Sequence, residues 1–345
     1  MTLRENLYAA LDGKRPALIP YTIWREFVTE DPAWEAIFAS GLCPISYVQT
    51  VCDEMTGVER LAEPITWKGR PARRLTLRTP VGDISQVKVD GWVQEYFLKT
   101  PADYRAMEYI VRHTRLALSP EAFAASERAV ADRGLTLINI GRSPMQTILV
   151  DYAGLENFSY HLADEFSELF ALAEALEDQL LERCRLTAAG PGRYVSLLEN
   201  FTAESWGAAR FTKFHLPVYA KILPIFQAMD KRVFPHFDGK IAYVADLLAG
   251  TEFAGIESLT EPPEGDLTLA QARAAMPDKV FWANINVGLY ALPEKELRHW
   301  LRCRIAEAAP DRRLLAFEIS EDLPANWRRS IPVVLRTLHD EGRQT

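Results

Sequence analysis

The stretch KRVFPHFDGKIAYVADLLAG, residues 231–250, shows the pattern that decides the fold. A short apolar strand ends on the polar residues His236 and Asp238, Gly239 lets the chain turn, and a helical stretch begins shortly afterwards. The same rhythm of short strand, turn and helix continues from Thr100 to the last residues of the chain. Because strands that alternate with helices form parallel sheets, this rhythm predicts an α/β protein.

Eight apolar stretches are predicted to be the strands of that sheet. They lie within residues 14–24, 44–51, 135–141, 194–200, 231–237, 253–259, 279–286 and 312–320. Eight such units favour a (β/α)8 TIM barrel, and a length of 345 residues suits one domain over 1–345. The chain carries no glycine-rich phosphate loop, which removes the main support for a nucleotide-binding sheet.

Residues 73–91 depart from this rhythm. Two runs of alternating apolar and polar residues flank the turn sequence PVGD, which is typical of a β-hairpin. We therefore predict an N-terminal β-hairpin excursion from the barrel. A helix is predicted to follow from Thr100, because Asp103 stands three residues later, as in a capping box.

Composition excludes several classes of function. The formal charge of −8 argues against nucleic acid as the main partner, since phosphate backbones need a basic face. No signal-like segment opens the sequence, and no apolar run approaches the length of a membrane span, so we expect no membrane partner. The four cysteines are scattered, which predicts free thiols and a cytoplasmic location.

In a (β/α)8 barrel the active site lies at the C-terminal ends of the strands. The polar and aromatic residues at or near the predicted ends are Trp24, Arg25, Arg142, Glu199, Asn200, His236, Asp238, Glu257, Trp282, Asn284 and Glu318, with Glu321 in the last loop. An unpaired buried charge costs several kcal/mol, so such groups must pair, bind a metal or meet a substrate. The sequence therefore predicts a functional cluster at this end of the barrel.

The roles of these residues stay open at the level of the residues themselves. His236 and Asp238 suit a pair of metal ligands or an acid/base pair, but they also suit a buried histidine and a helix cap. The carboxylates on the other strands are candidate ligands, proton carriers or ion-pair partners. Arg25 and Arg142 are candidates to clamp a substrate carboxylate, with structural ion pairs as the alternative.

The order of several motifs resembles the uroporphyrinogen decarboxylase superfamily nearly from end to end. The similar stretches are LDGKRPALIPYTIW (11–24), TPVGDISQ (79–86), GWVQEYFLKTPADY (91–104), LPVYAKILPIFQAMDKRVFPHFDG (216–239) and GIESLTEPPEGDLTLAQARAAMPDKVFWANI (255–285). The resemblance implies two chemistries, which are decarboxylation of uroporphyrinogen and zinc-assisted methyl transfer to or from a corrinoid or a thiol. The arginine-rich N-terminal motif of the decarboxylases is missing here, since YTIWREFVTED contains Arg25 alone. The methyltransferase branch is therefore the closer match.

That branch often carries His-x-Cys after the fifth strand and a second cysteine near the last strand. Here His236 matches the histidine, but Asp238 replaces the first cysteine, and Glu318 lies in a last strand without one. The resemblance thus implies a Zn²⁺ site of nitrogen and oxygen ligands, for which we name His236, Glu257 and Glu318.

The other predicted roles follow from this interpretation. The predicted catalytic residues are Asp238, Glu199 and Arg142, and the predicted substrate-binding residues are Trp24, Arg25, Asn200, Trp282 and Asn284. The expected substrate is a small molecule such as a methoxy compound, with a corrinoid carried by a partner protein as methyl acceptor. A homodimer is compatible with the resemblance.

Two other functions are kept as alternatives. One is a metal-free decarboxylase acting on a smaller carboxylated molecule, held by the arginines. The other is a non-catalytic module that binds a corrinoid or tetrapyrrole, in which the strand-end acids form only an ion-pair network.

Overall fold

This computed structural model describes residues 1–319 and 322–343. The strands are β1 (Tyr21–Trp24), β2 (Leu42–Val48), β3 (Val51–Met55), β4 (Glu59–Trp67), β5 (Arg70–Thr79), β6 (Gly82–Val89), β7 (Trp92–Glu95), β8 (Thr114–Leu118), β9 (Leu135–Asn139), β10 (Tyr194–Leu197), β11 (Arg232–Pro235), β12 (Gly255–Leu259), β13 (Val280–Asn284) and β14 (Leu315–Ile319). The helices are α1 (Leu3–Leu11), α2 (Ala33–Ala39), α3 (Pro101–Arg112), α4 (Glu121–Val130), α5 (Pro144–Thr147), α6 (Gly154–Ala163), α7 (Ser167–Ala189), α8 (Ala203–Arg210), α9 (Leu216–Gln227), α10 (Ala245–Ala249), α11 (Leu269–Ala275), α12 (Glu294–Ala308) and α13 (Trp327–Arg343). Ser320 and Glu321, which belong to the predicted last strand and its loop, lie outside the described residues.

A parallel barrel forms the centre of the fold. In the described part of the chain, eight strands pair in the order β11-β10-β9-β2-β1-β14-β13-β12. A single parallel bridge between His236 and Glu257 joins the two outer strands, β11 and β12. This confirms the predicted (β/α)8 fold, since the strands are parallel, follow one another around the sheet and alternate with helices.

The lower half of the barrel is packed with apolar side chains. Its inward-facing core contains Cys43, Ile45, Leu135, Leu137, Tyr194, Phe234, Val280, Trp282 and Ala316. Leu7 and Leu11 of α1 belong to the same cluster, so this helix packs against the barrel core. The core holds the strands in place and leaves the opposite end for polar side chains.

The chain divides into two compact units. The barrel belongs to a unit of residues 1–50, 120–140 and 190–345, and the second unit contains residues 51–119 and 141–189. The second unit holds an antiparallel sheet in the order β4-β5-β6-β7 and a strand pair, β3 and β8. The predicted hairpin over 73–91 is confirmed as β5 and β6, and it is the centre of this larger four-stranded sheet.

Local signals in the sequence explain several element boundaries. The predicted capping box at the start of α3 is present, because Thr100 and Asp103 bond each other's backbone amides. Gly239 does not need glycine for its φ. It needs glycine because the backbone of Phe201 lies so close that a Cβ would be 2.5 Å from its carbonyl oxygen. No helix of the described chain is both long enough and apolar enough to cross a membrane.

Candidate functional site

The polar site lies next to the apolar core inside the barrel, because side chains on one strand alternate between its two faces. Trp282 and Ala316 belong to the apolar core, and Asn284 and Glu318 stand two residues further along the same strands. With a period of two, each pair points to the same face of the sheet. The polar residues therefore form the next layer of the barrel interior towards its C-terminal end.

Glu257 is one of two acids at the centre of this layer, and its side chain is fully buried. Tyr47 donates a hydrogen bond to Oε1 of Glu257, and the Ser196 hydroxyl donates to Oε2 at 2.6 Å. Nδ1 of His236 lies 3.5 Å from Oε1. Burial raises the pKa of Glu257 well above its usual value, and the charge of Glu318 raises it further. Burial and the neighbouring charge thus favour the protonated form of Glu257.

Glu318 is the second acid and is also fully buried. The Ser258 hydroxyl donates to its Oε1 at 2.8 Å, and the indole N–H of Trp24 donates to its Oε2 at 3.3 Å. Burial raises the pKa of Glu318 to about 7, although the charge of His236 and these two hydrogen bonds oppose the shift. Two carboxyls that interact in a dry site take up and release protons as a pair. This layer can therefore store a proton near neutral pH.

A β-bulge turns two consecutive side chains, Glu257 and Ser258, into the barrel interior. The pairing of β12 with β13 shifts register between Glu257 and Leu259, and Ser258 between them has a φ of +58°. That conformation is unfavourable for serine, which indicates a backbone held in place by its surroundings. The bulge lets Ser258 bond Glu318 while Glu257 also faces inward, an arrangement that a regular strand excludes.

His236 and Asp238 lie next to each other at the end of β11, as predicted. Nε2 of His236 is 3.7 Å from Oδ2 of Asp238, which also accepts a 3.0 Å hydrogen bond from the Asn200 amide. Burial favours a raised pKa for Asp238, but His236 and Asn200 outweigh it, so the pKa lies below the usual value. Asp238 is thus a charged carboxylate beside a proton-storing pair. The ring of Trp24 packs near the ring of His236, with 5.8 Å between the two ring centroids.

Glu199 belongs to a separate buried group. The Tyr219 hydroxyl donates to its Oε1 at 2.7 Å, and Nδ1 of His215 lies 3.8 Å from the same oxygen. Burial and the charge of Glu199 raise the pKa of Tyr219 well above its usual value. The aromatic rings of Trp206 and Phe201 surround His215. The helix histidine therefore supports a strand-end acid, which the sequence alone does not reveal.

The predicted metal site is not assembled by these contacts. Within residues 1–319 and 322–343, no group of three His, Cys, Asp or Glu side chains is placed to hold a metal ion. Both carboxylate oxygens of Glu257 and both of Glu318 are engaged by hydroxyl or N–H donors. His236, Glu257 and Glu318 are neighbours, but their arrangement suits proton storage and does not fit Zn²⁺.

A cavity of about 860 Å³ opens beside the first two strands of the barrel. Trp24 and Tyr47 line it, and each of these aromatics also donates a hydrogen bond to one of the two acids. Arg25 lines the same cavity and is exposed, while α4 contributes the small residues Ala122, Ala125 and Ala129. The volume suits a small organic molecule. Arg25 offers such a molecule a positive charge.

The remaining predicted site residues have other surroundings. Trp282 is fully buried, and its N–H bonds the Thr22 hydroxyl at 2.8 Å, so its place in the core argues against the predicted stacking on a ligand. Asn284 bonds the Thr260 hydroxyl at 2.8 Å. Arg142 belongs to the second unit, where its guanidinium lies 3.1 Å from Oδ2 of Asp151.

Sequence reasoning missed three residues that contact the acids. Tyr47, Ser196 and Ser258 each bond a buried carboxyl, yet none was singled out. Tyr47 and Ser196 lie close to the ends of the observed strands β2 and β10, but in the middle of the longer predicted strands 44–51 and 194–200, so the strand-end rule passed over them. Ser258 faces Glu318 only because of the bulge, for which the sequence carries no signal.

Comparisons with known proteins support the fold. No protein-family model and no curated protein matches this chain. Among solved structures, a methyltransferase from Methanosarcina mazei aligns with a TM-score of 0.58 and 10% identity, over 99% of this chain and 99% of that chain. A B12-independent methionine synthase from Shewanella sp. W3-18-1 aligns with a TM-score of 0.47 and 12% identity, over 94% and 98% of the two chains. The first likeness confirms the (β/α)8 architecture, and membership of the uroporphyrinogen decarboxylase superfamily stays a prediction.

Proposed function

We propose that this protein is an enzyme that transfers a methyl group from an oxygen atom of a small molecule, with Glu257 and Tyr47 supplying the proton that the oxygen needs. The main observation behind the proposal is that the buried carboxyl of Glu257 has a raised pKa and is hydrogen-bonded to Tyr47, which lines a cavity large enough for a ligand. The reaction type is a hypothesis drawn from the Methanosarcina mazei methyltransferase, whose fold this chain shares. The proton chemistry rests on this chain's own residues.

The proposed step balances as a substitution at carbon. A nucleophile forms a bond to the methyl carbon while the bond from that carbon to oxygen breaks, and the electron pair stays on the oxygen. The Tyr47 hydroxyl gives its proton to this oxygen and regains a proton from Glu257, which ends as a carboxylate. Both hydroxyls that contact Glu257 can donate or accept, so the neutral acid keeps its hydrogen bonds.

Protonation lowers the barrier because an alkoxide is a poor leaving group and an alcohol is a better one. General acid catalysis contributes about 10²–10⁴-fold to rates. Glu318 assists by its charge, which raises the pKa of Glu257 and keeps the proton there until the substrate accepts it. As methyl acceptor we propose a reduced corrinoid carried by a partner protein, and the exposed Arg25 favours substrates that bear a carboxylate.

The test measures methyl transfer from a panel of methoxybenzoates to free cob(I)alamin, followed by the absorbance change of the cobalamin. For the wild type we expect methylcobalamin and the demethylated phenol in equal amounts. Glu257→Gln and Tyr47→Phe should each lower kcat by about 10²–10⁴-fold. The double variant should lose little more than either single one, because residues that act as a unit are not additive.

The matched control is Asp12→Asn, which removes one carboxylate at the opposite end of the barrel, where Asp12 accepts a bond from Tyr194. It should keep wild-type kcat. Full activity of Glu257→Gln would overturn the proton-donor role. The absence of methyl transfer from every methoxybenzoate, with release of CO2 from one of them, would replace methyl transfer by decarboxylation.

Decarboxylation is the second candidate function, and the same acid supports it. After loss of CO2 a carbanion must be protonated, and the Tyr47–Glu257 pair is suited to that step as well. Arg25 would hold a carboxylate in the cavity. The CO2 measurement on the same panel separates the two reactions.

A further inference from the structure

A second cavity lies within the second unit, on one face of the four-stranded antiparallel sheet. It measures about 310 Å³ and is lined by Arg60, Ala62, Arg73, Leu75, Gln86 and Lys88. Three strands contribute two residues each, so the cavity is built on a paired and rigid part of the sheet. Its lining combines three cations with an apolar floor of alanine and leucine.

The cations are placed where they repel one another. Arg73 of β5 and Lys88 of β6 are direct cross-strand partners. Like charges at such positions destabilise a sheet. In the chain as described, neither residue has an acidic partner at ion-pair distance, and the same holds for Arg60.

Asp151 is an acid whose pKa the charge of Lys88 influences. Burial raises the pKa of Asp151, and the charges of Arg142 and then Lys88 oppose that shift. Both carboxylate oxygens of Asp151 are bound by Arg142, at 3.1 and 3.2 Å. Asp151 therefore leaves Lys88 without a hydrogen-bonded counter-charge.

The opposite face of the same strands gives the contrast. There Arg74 lies 3.6 Å from Glu63, and Arg78 lies 3.5 Å from Glu59 and 3.3 Å from Asp83. One face of the sheet thus pairs its cations with acids of neighbouring strands, and the other face groups cations around a cavity. A missing counter-charge on one face only indicates that a ligand supplies it.

We propose that this cavity binds a small organic phosphate, with the phosphate group between Arg73 and Lys88 and the apolar body of the ligand against Ala62 and Leu75. Arginine binds phosphate through two parallel N–H bonds, and lysine adds a point charge. Gln86 also lines the cavity; its Nε2 donates to the Asp151 carbonyl oxygen at 3.5 Å and carries a second N–H. The cavity volume lies at the small end of the range for ligand sites, about 300–1,000 Å³. The proposal is independent of the methyl-transfer reaction.

The experiment is calorimetric titration of the full-length protein with phenyl phosphate and with inorganic phosphate at constant ionic strength. Both should bind, phenyl phosphate more tightly because of its ring. The double variant Arg73→Gln/Lys88→Gln should weaken both by at least about tenfold. The matched double variant Arg74→Gln/Arg78→Gln removes the same charge from the other face and should change binding by less than about twofold.

A second readout separates binding from folding defects. Lys88→Glu places an acid opposite Arg73, so it should raise the melting temperature in phosphate-free buffer and weaken phenyl phosphate binding. Absence of phosphate binding to the wild type, equal weakening in the two double variants, or a lower melting temperature for Lys88→Glu would each overturn the proposal. Binding to phosphatidic acid vesicles that phenyl phosphate competes away would identify a lipid headgroup as the source of the phosphate, and binding of the soluble esters alone would identify a free molecule.

Discussion

Both ends of the barrel bury ionisable side chains, but the two ends differ in the partners that these side chains have. At the N-terminal ends of the strands, Lys231 and Lys279 are buried and donate to backbone carbonyls, and Arg273 donates to backbone carbonyls as well. At the C-terminal ends, Glu257 and Glu318 are buried beside each other and have raised pKa values. The cations at one end bond backbone carbonyls, whereas the acid pair at the other end has raised pKa values and can store a proton.

The difference shows how to tell a structural charge from a functional one. Burial lowers the pKa of Lys231 and Lys279, so the cost of burial is present at both ends. At the N-terminal end it is offset by carbonyl groups that the folded backbone leaves unpaired there. At the C-terminal end the acids repel each other, and their hydroxyl partners can accept a proton as readily as donate one. A buried titratable group with a shifted pKa and partners that can exchange a proton with it is the better candidate for chemistry.

The largest expected effect tests the N-terminal end. Arg273 donates to the carbonyl oxygens of Ala308, Lys279 and Leu314 at 2.7 to 2.8 Å, among others. Arg273→Met leaves these buried carbonyls without donors and should lower the free energy of unfolding by about 3 kcal/mol or more. Urea denaturation measures this loss, and turnover per folded molecule should stay unchanged.

The control for this change is Arg302→Met, which breaks an exposed 2.9 Å ion pair with Glu341. It should cost less than about 1 kcal/mol. If both variants lose the same stability, the carbonyl contacts of Arg273 have no special role, and the comparison between the two ends fails.

The next effect tests the C-terminal end through pH. The pKa of Glu318 rises on folding from 4.5 to about 7, so the folded protein binds more protons between these values. Its contribution to stability therefore falls as pH rises through this window, by on the order of 3 kcal/mol. Glu318→Gln removes this loss. The stability of the variant relative to wild type should increase from pH 5 to pH 8, as measured by urea denaturation at each pH.

Glu54→Gln, at an exposed position on β3, is the control and should show no such trend. A stability difference between Glu318→Gln and wild type that stays constant with pH would mean that Glu318 titrates as an ordinary exposed acid. The proton-storing interpretation of the pair would then be wrong.

The smallest expected effect is a change in the pKa of Glu318 when the hydrogen bond from the indole N–H of Trp24 is removed. This hydrogen bond lowers the pKa of Glu318, so Trp24→Phe should raise it, by up to about one unit. Carbon NMR of labelled glutamate carboxyls would measure the shift. Trp282→Phe is the matched control, because its N–H bonds Thr22 and should leave that pKa unchanged. Equal shifts in both variants would show that ring packing, and not the N–H, sets the pKa.

Periodicity predicted the barrel well because it reads local patterns. Each of the eight predicted strands contains or overlaps an observed one. Several predicted strands continued beyond the C-terminal end of the observed strand: β10 ends at Leu197, three residues before the predicted end at Asn200. Polar residues at a strand end look strand-like in sequence, although the backbone already turns away there, with Asn200 at a φ of +44°.

The sequence predicted which residues form the site, but it did not predict the hydrogen bonds between them. The strand-end rule placed His236, Glu257 and Glu318 together, as the structure does. The rule cannot say that hydroxyls and an indole engage every carboxylate oxygen, because those partners come from other strands and a bulge. It also grouped Arg142 with the barrel, although Arg142 belongs to the second unit, where it pairs with Asp151.

The way the barrel closes has a consequence for its motions. The other neighbouring strands of the barrel share two to four paired residues, whereas β11 and β12 meet through one bridge, at His236 and Glu257. Two backbone bonds flank it, from Phe237 to Glu257 and from Ala254 to Val233. Separating this seam breaks few hydrogen bonds, so we expect these amides to exchange with deuterium before the rest of the barrel. The barrel strands would therefore separate first at β11 and β12, beside the carboxyl of Glu257, and bulk water would reach that carboxyl there.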